Sequence, residues 1–276
     1  MLATLGDLVE DVVIRVDDPV NVASDTDARI ERRRGGSAAN VASVAARSGH
    51  RVRFLGQVGA GPVGDALLAE LAADGVDVSG VRRGGRVATV AVLVDPSGER
   101  TMLSDRGGCI ELTDPDEGWL DGVTTFHVPL YSLAVEPLAT SARTMIRWGH
   151  DRDIDVSIDL SSVSVIQSLG VEHVRDLLEG LCPAVVLANR EEASVLAIDG
   201  PVAGAVTVIK QGGDPAIVYD GEVRHEVPAR RIELEDTTGA GDAFAAGFLA
   251  RSWRTDLVAA CRAGHEAARS AMSPIA

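Results

Sequence analysis

The chain has no long hydrophobic run. Of its 276 residues 46% are hydrophobic, but the apolar segments are short and interrupted, and none approaches the roughly 20 apolar residues that span a bilayer. That apolar content is enough for a sizeable buried core, and the length suits a single domain, 1–276. The first residues, Met1-Leu2-Ala3-Thr4-Leu5-Gly6-Asp7, carry no basic segment followed by an apolar one, which argues against a secretory signal. Cysteine is scarce: Cys109, Cys182 and Cys261 are odd in number, far apart and not in a CxxC. A disulfide framework or zinc site is therefore not expected, and a reducing, cytoplasmic setting is. Positive charge is short as well. The net charge is −15, which disfavours wrapping nucleic acid or an anionic membrane. Lys210 is the sole lysine among arginines. Any anionic ligand must be held by local devices, helix N-termini or a few placed cations. No Gly-x-x-x-x-Gly-Lys-Ser/Thr occurs, which excludes a standard P-loop.

What the chain does contain is a β–α rhythm. Strand-like runs at 3–5, 52–58, 125–128, 155–159, 185–188 and 205–210 alternate with helical stretches at 38–48, 64–74, 135–151, 171–181 and 190–197. Two further helices are expected at 240–251 and 255–270. This alternation predicts an α/β fold with a mostly parallel sheet covered by helices. Two segments, 9–34 and 86–104, read as hairpins and break the rhythm; the second carries the Asp95-Pro96-Ser97-Gly98 turn. They are expected to form a small β-appendage, either a lid or edge decoration.

The strongest motif is Asp236-Thr237-Thr238-Gly239-Ala240-Gly241-Asp242-Ala243-Phe244. Its small residues let the backbone approach a ligand, and the helix behind them aims its unpaired N–H groups at that ligand. A carboxylate at Asp242 could take a proton from an attacking hydroxyl or simply cap the helix. Asn189-Arg190-Glu191-Glu192 follows a strand and reads either as a capping box or as a site for Mg²⁺. Lys210-Gln211-Gly212 ends a strand, where a cation can neutralise phosphate. Gly59-Ala60-Gly61-Pro62-Val63-Gly64 is a GxGxxG between strand and helix with Asp77 downstream, the pattern of an NAD-binding oxidoreductase. It lies on a later strand than the first βα unit and leaves the other motifs unexplained.

Asp236 to Leu249 resembles the C-terminal signature of the ribokinase-like, or PfkB, carbohydrate kinases. Gly35-Gly36-Ser37-Ala38-Ala39-Asn40-Val41-Ala42, with Gly49 and Gly59 after it, resembles their N-terminal signature. The two stand in the right order, and the resemblance covers nearly the whole chain. It implies an ATP-dependent kinase that phosphorylates a hydroxyl of a sugar or sugar derivative, with ATP and Mg²⁺. Asp242 would be the base, and Gly239, Ala240, Gly241 and Asp242 the backbone anion hole. Asp11, Gly35, Gly36 and Asn40 would hold the acceptor. Asn189, Glu192, Lys210, Gly212 and Thr237 would serve ATP, with Asn189 and Glu192 holding Mg²⁺ through water. Asp105-Arg106-Gly107-Gly108 is similar to a segment near the acceptor, where Arg106 would meet an acidic or phosphorylated one. Asp236 could offer a carbonyl to K⁺. The appendage would be a lid, and lid-to-lid pairing would give a homodimer.

Departures from the family pattern are Gly61, where an Asp is more usual, and Pro215, where a second glycine often follows Lys-x-Gly. The chain also ends at Ser273-Pro274-Ile275-Ala276, short of a Gly-Ala loop found in many relatives, which leaves adenine binding and K⁺ activation open. An adenosine-like nucleoside acceptor is an alternative, weakened by the 3% aromatic content, since bases are usually held by stacking. A non-catalytic sugar sensor on the same fold is another, against which stands the retained Asp242.

Overall fold

A computed structural model describes residues 1–229 and 239–272 of the chain. The chain begins with β1 (Leu2–Leu5), β2 (Val9–Arg15), β3 (Arg29–Gly35) and α1 (Ser37–Arg47). Then come β4 (Val52–Val58), α2 (Pro62–Ala73), β5 (Asp77–Arg83), β6 (Thr89–Val94) and β7 (Arg100–Asp105). Next are β8 (Thr125–Pro129), α3 (Leu138–His150), β9 (Asp155–Asp159), α4 (Val163–Leu169) and α5 (Val171–Leu181). The described part closes with β10 (Val185–Asn189), α6 (Arg190–Val195), β11 (Val206–Lys210), β12 (Ala216–Asp220), β13 (Val223–Val227), α7 (Ala240–Leu249) and α8 (Leu257–Met272).

The main sheet has the order β13-β12-β11-β10-β9-β8-β1-β4-β5. It is parallel from β11 to β5, and β12 and β13 add an antiparallel hairpin at one edge. The chain leaves β1 toward β4 and β5, then crosses to β8 and works outward on the other side. That reversal beside β1 opens a crevice at the strands' C-terminal ends, where ligands of such sheets bind.

Alternation along each strand sends side chains to two cores, one per face. Leu5, Leu55, Phe126, Val156, Ile158 and Val186 pack under α3, α4, α5 and α6. Leu2, Val52, Phe54, Leu187 and Val208 pack under α1, α2, α7 and α8. Strands covered on both faces read as continuous apolar runs, as Val185-Val186-Leu187-Ala188 does.

The second sheet, β3-β2-β6-β7, is drawn from the two segments outside the βα rhythm. Residues opposite each other in it share a face. Asp11 stands across from Arg33 on one side and Val90 on the other, and Val90 across from Ser104. Asp11, Val13, Arg33, Val90, Val92, Arg100 and Met102 all line the cavity described below, so one face of this sheet forms its wall.

Three parts of the fold escape the sequence reading. β5 is an edge strand, half exposed, with Asp77 paired to Arg53, so its apolar alternation is weak. The β12–β13 hairpin turns at Asp220-Gly221-Glu222, where Gly221 takes φ +56°; the Asp-Gly was its signal. α4 is a short helix with only Ile166 buried.

Candidate active site

The cavity, of about 760 Å³, lies between the C-terminal ends of the parallel strands, the N-termini of α1 and α7, and the inner face of the second sheet. Asp159, Asn189 and Lys210 each end a strand, on the neighbours β9, β10 and β11. Lys210 Nζ donates to Asp159 Oδ2 at 2.5 Å, with the two side chains only 12% and 6% exposed. Burial opposes the lysine's charge, but Asp159, Glu192 and Asp242 outweigh it and raise its pKa.

Asn189 caps α6 in a complete capping box. Its Oδ1 accepts from Glu192 N at 2.8 Å, and the Glu192 carboxylate accepts from Asn189 N and Nδ2, each at 2.8 Å. The box fixes the Glu192 rotamer while leaving the side chain at the cavity wall. Burial, reinforced by the Asp159 charge, pushes the Glu192 carboxyl up to about 7. The structure thus contains the ordinary capping box foreseen for this segment, and it places that box in the cavity beside the lysine.

Asp242 sits in the first turn of α7. The first bond inside that helix runs from Ala243 N to Gly239 O at 2.9 Å. The amides of Ala240, Gly241 and Asp242 therefore have no carbonyl within the helix to donate to. Gly239, at φ +78°, turns the chain into the helix. Both Asp242 oxygens are held from α1: Ser37 Oγ donates to Oδ1 at 2.7 Å and Asn40 Nδ2 to Oδ2 at 2.9 Å. Burial pushes this carboxyl up to about 6, with the Asn40 and Ser37 hydrogen bonds pulling the other way. Among the described residues the site thus gathers three carboxylates, Asp159, Glu192 and Asp242, around one ammonium. Such a cluster can accept a proton at near-neutral pH and can hold further positive charge.

Two glycines let the chain entering α1 pack closely against β2 and the loop before it. Gly36, the residue before α1, has φ +104°, and a Cβ there would lie 2.2 Å from Asp7 O. A Cβ on Gly35 would lie 2.4 Å from Asp11 Oδ2. The Asp11 carboxylate therefore leans over the bare Gly35 backbone. Burial raises the Asp11 carboxyl pKa, and Arg33 opposes the rise.

Of the residues singled out in the sequence, Asp11, Gly36, Asn40, Arg106, Asn189, Glu192, Lys210, Gly212, Gly239, Ala240, Gly241 and Asp242 line one cavity. Gly35 lies beneath Asp11 as its floor. Thr237 and Asp236 lie outside the described residues. Two assignments change in detail. Asn40 is occupied by Asp242. Arg106 gives its Nε and Nη2 to Asp7, at 2.8 and 2.7 Å, and its Nη1 to the Tyr131 carbonyl at 3.0 Å. Its guanidinium is a braced wall of the cavity, neutralised by Asp7. Asp159 and Ser37 were not foreseen. Asp159 was legible only as an acidic residue ending a strand, and Ser37 only as part of the motif at 35–42.

Gly59 to Gly64 serves packing. A Cβ on Gly59 would lie 2.3 Å from Val87 N, and one on Gly64 2.0 Å from Gly59 O. Asp77 is bound to Arg53 at 2.7 Å. Gly59 and Gly64 are thus set by close backbone contacts, with the expected ribose partner already engaged.

Residues 1–273 match the pfkB family carbohydrate kinase pattern. The chain belongs to the pfkB family of carbohydrate kinases. An ATP-dependent ribose-1-phosphate kinase of Halopiger xanaduensis is 34% identical, over 95% of this chain and 91% of the relative. The ribokinase-like fold is shared with adenosine kinase of Sinorhizobium meliloti, at TM-score 0.85 and 24% identity over 99% of this chain and 94% of that one. It is shared equally with a sugar kinase of Pyrococcus horikoshii solved in complex with ATP, at TM-score 0.84 and 23% identity over 100% and 93%. Within a pfkB kinase, Asp242 and the glycines before it fall at the head of α7, facing the strand ends.

Proposed function

We propose that this pfkB kinase transfers the γ-phosphoryl group of ATP to a hydroxyl of a sugar or sugar derivative, with Asp242 as general base. The observation that carries the reading is the meeting of Asp242, the first-turn amides of α7 and the Lys210 ammonium in one cavity. Each is a part that phosphoryl transfer needs: a proton acceptor, donors for developing charge, and a cation.

In this reading the acceptor lies against Asp11, whose carboxylate takes hydrogen bonds from paired hydroxyls. Its reactive oxygen approaches Asp242. As the O–Pγ bond forms, the bond from Pγ to the β,γ-bridging oxygen breaks, ADP leaves, and the hydroxyl proton passes to Asp242. A carboxyl near 6 is well matched to this role, deprotonated at neutral pH yet basic enough to hold the proton. The amides of Ala240, Gly241 and Asp242 donate to the transferring group, and Lys210 faces the charge that builds on phosphate.

The donor set also fits Mg²⁺. Among the described residues no group of three or more His, Cys, Asp or Glu side chains forms a metal cage, and Mg²⁺ commonly keeps several waters and takes few protein ligands. Glu192, 1% exposed, and Asn189 would hold it through water. When bound it supplies neutralisation of the phosphate charge. The second sheet, whose inner face walls the cavity, acts as a lid that excludes water.

The test is ADP release from Mg·ATP over a panel of sugars, sugar acids, sugar phosphates and nucleosides, with the Asp242→Asn variant as control. Acceptor-dependent release abolished in the variant supports the reading; none with any acceptor defeats it.

A further inference from the structure

Ser161 stands on the cavity wall but has no part in the reaction above, and its backbone takes a conformation that serine rarely adopts. Its φ is +64°, and the Ser162 N–H donates to the Leu160 carbonyl at 2.7 Å. The three residues thus close a γ-turn of the rare, strained hand. Strain of this kind persists only where the surrounding structure holds it, and it concentrates at functional sites. What the turn achieves is a grip on the residue that ends β9. The Ser161 N–H donates to Asp159 Oδ1 at 3.0 Å, and Ser161 Oγ donates to the Asp159 carbonyl at 2.9 Å.

With Oδ1 engaged, Asp159 presents Oδ2 to Lys210, whose Nζ donates to it at 2.5 Å. The ammonium held in this way stands at the head of α7: a Cβ on Gly241 would lie 3.4 Å from Nζ. Lysine is a point charge on a flexible four-carbon stem, and its rotamer freedom is lost on binding an anion unless it has been lost beforehand. Here the stem is placed by β11 and the head by Asp159 on β9, with β10 between them. An ammonium has three protons, so one bond to Asp159 leaves others for an anion beside the first-turn amides.

We propose that Ser161 and Asp159 are positioning residues: the strained turn fixes the Asp159 carboxylate, and Asp159 stations the Lys210 ammonium against the head of α7, where it meets the terminal phosphate of ATP. The part played by ATP rests on the kinase reading; the stationing of the lysine does not. The opposite role for the same contact is that Asp159 withholds the lysine from phosphate, and the two roles differ in sign.

Lys210 is the sole lysine of the chain, so isotopically labelled lysine gives a single side-chain signal in NMR, and its relaxation reports the mobility of the lysine head without any ligand. Calorimetry with Mg·ATP and with Mg·ADP, in the absence of acceptor, reports phosphate binding. Asp159→Asn keeps an acceptor for the Ser161 N–H but offers Lys210 only a donor. Ser161→Val and Ser161→Gly form a pair of which only the glycine takes φ +64° readily. Asp159→Asn is expected to free the lysine head and to weaken ATP roughly 10- to 30-fold, the scale of a released lysine stem, with a smaller loss for ADP. Ser161→Val should act in the same direction, and Ser161→Gly should stand closer to the unaltered protein. The proposal is overturned if the lysine head is as rigid in Asp159→Asn as in the unaltered protein, or if ATP binds that variant as tightly or more tightly. Equal losses for ATP and ADP, the mark of a general loosening, would also overturn it, and like behaviour of the two Ser161 variants would remove the turn from it. A lysine head freed by Asp159→Asn in a protein that binds no ATP would sink the kinase reading and leave the stationing of Lys210 standing.

Discussion

Lys210 is the lone ammonium in the cavity, and replacing it by methionine keeps the volume while deleting the charge. The structure gives the consequences. Asp159 loses a partner 2.5 Å away while remaining 6% exposed, and it stays near Glu192 and Asp242, whose pKa values it already raises. Removing one member of a buried pair typically costs about 3–5 kcal/mol. The cavity admits water, so the low end applies, about 3 kcal/mol, or about 6–12 °C in Tm for a domain of this size. Asp159→Leu should cost a similar amount, because it strands the lysine. The double variant should recover most of the loss, since a buried pair replaced by apolar side chains is often near neutral. The pH dependence gives a second check. Without Lys210 the folded-state pKa values of Glu192 and Asp242 rise above their present values of about 7 and about 6. An acid whose folded pKa lies above its unfolded value destabilises the fold at high pH and is relieved as pH falls through the folded value. The Lys210→Met deficit should therefore be larger at pH 8 than at pH 5.5. Thermal unfolding of the four proteins at both pH values is the assay. Additive losses in the double variant, or a deficit that grows on acidification, would refute the account of this cluster.

Three further outcomes are expected. Asp11→Ala should raise the acceptor KM by tenfold or more with little change in ATP affinity, measured by initial rates with each substrate varied; an unchanged acceptor KM removes Asp11 from the site. Gly35→Ala should act in the same direction, because its Cβ would fall 2.4 Å from the Asp11 carboxylate and displace it; acceptor kinetics equal to those of the unaltered enzyme would contradict that packing. The acid limb of kcat/KM should lie near pH 6, where Asp242 titrates, with activity rising as pH rises through it. Ser37→Ala removes a hydrogen bond that favours the carboxylate and should move that limb upward; a limb that stays put or moves down would dissociate it from Asp242.

The parallel core was legible because each buried strand is a short apolar run, such as Val185-Val186-Leu187-Ala188, punctuated by helices of clear period. Asp242 and the glycines ahead of it were legible because small residues at a helix head have few uses. β5 was hidden because an edge strand satisfied by Arg53 and solvent needs little apolar alternation. The Asp159–Lys210 pair was hidden for a different reason. Its members are 51 residues apart and meet only because β10 separates their strands by one position in the sheet. Ser37 reaches Asp242 across 205 residues. The sequence showed Arg106 as an available cation, but nothing local to it reveals that Asp7, 99 residues earlier, binds it. Motif reading found most of the residues that line the site, Asp159 and Ser37 excepted; it could not find which of them neutralise one another.

In the proposed reaction Asp242 takes the acceptor's proton. Asp242→Asn isolates that step well. The asparagine Oδ1 can still accept from Asn40 Nδ2, and its Nδ2 can donate to a Ser37 hydroxyl turned to accept, so the α1–α7 contact is retained while the base is lost. The measurement is acceptor-dependent ADP release from Mg·ATP by the two proteins, with ATP binding measured alongside. A fall in kcat of roughly 10²–10⁴-fold with ATP affinity retained is the predicted result. Turnover within a few-fold of the unaltered enzyme would contradict it and place the base elsewhere.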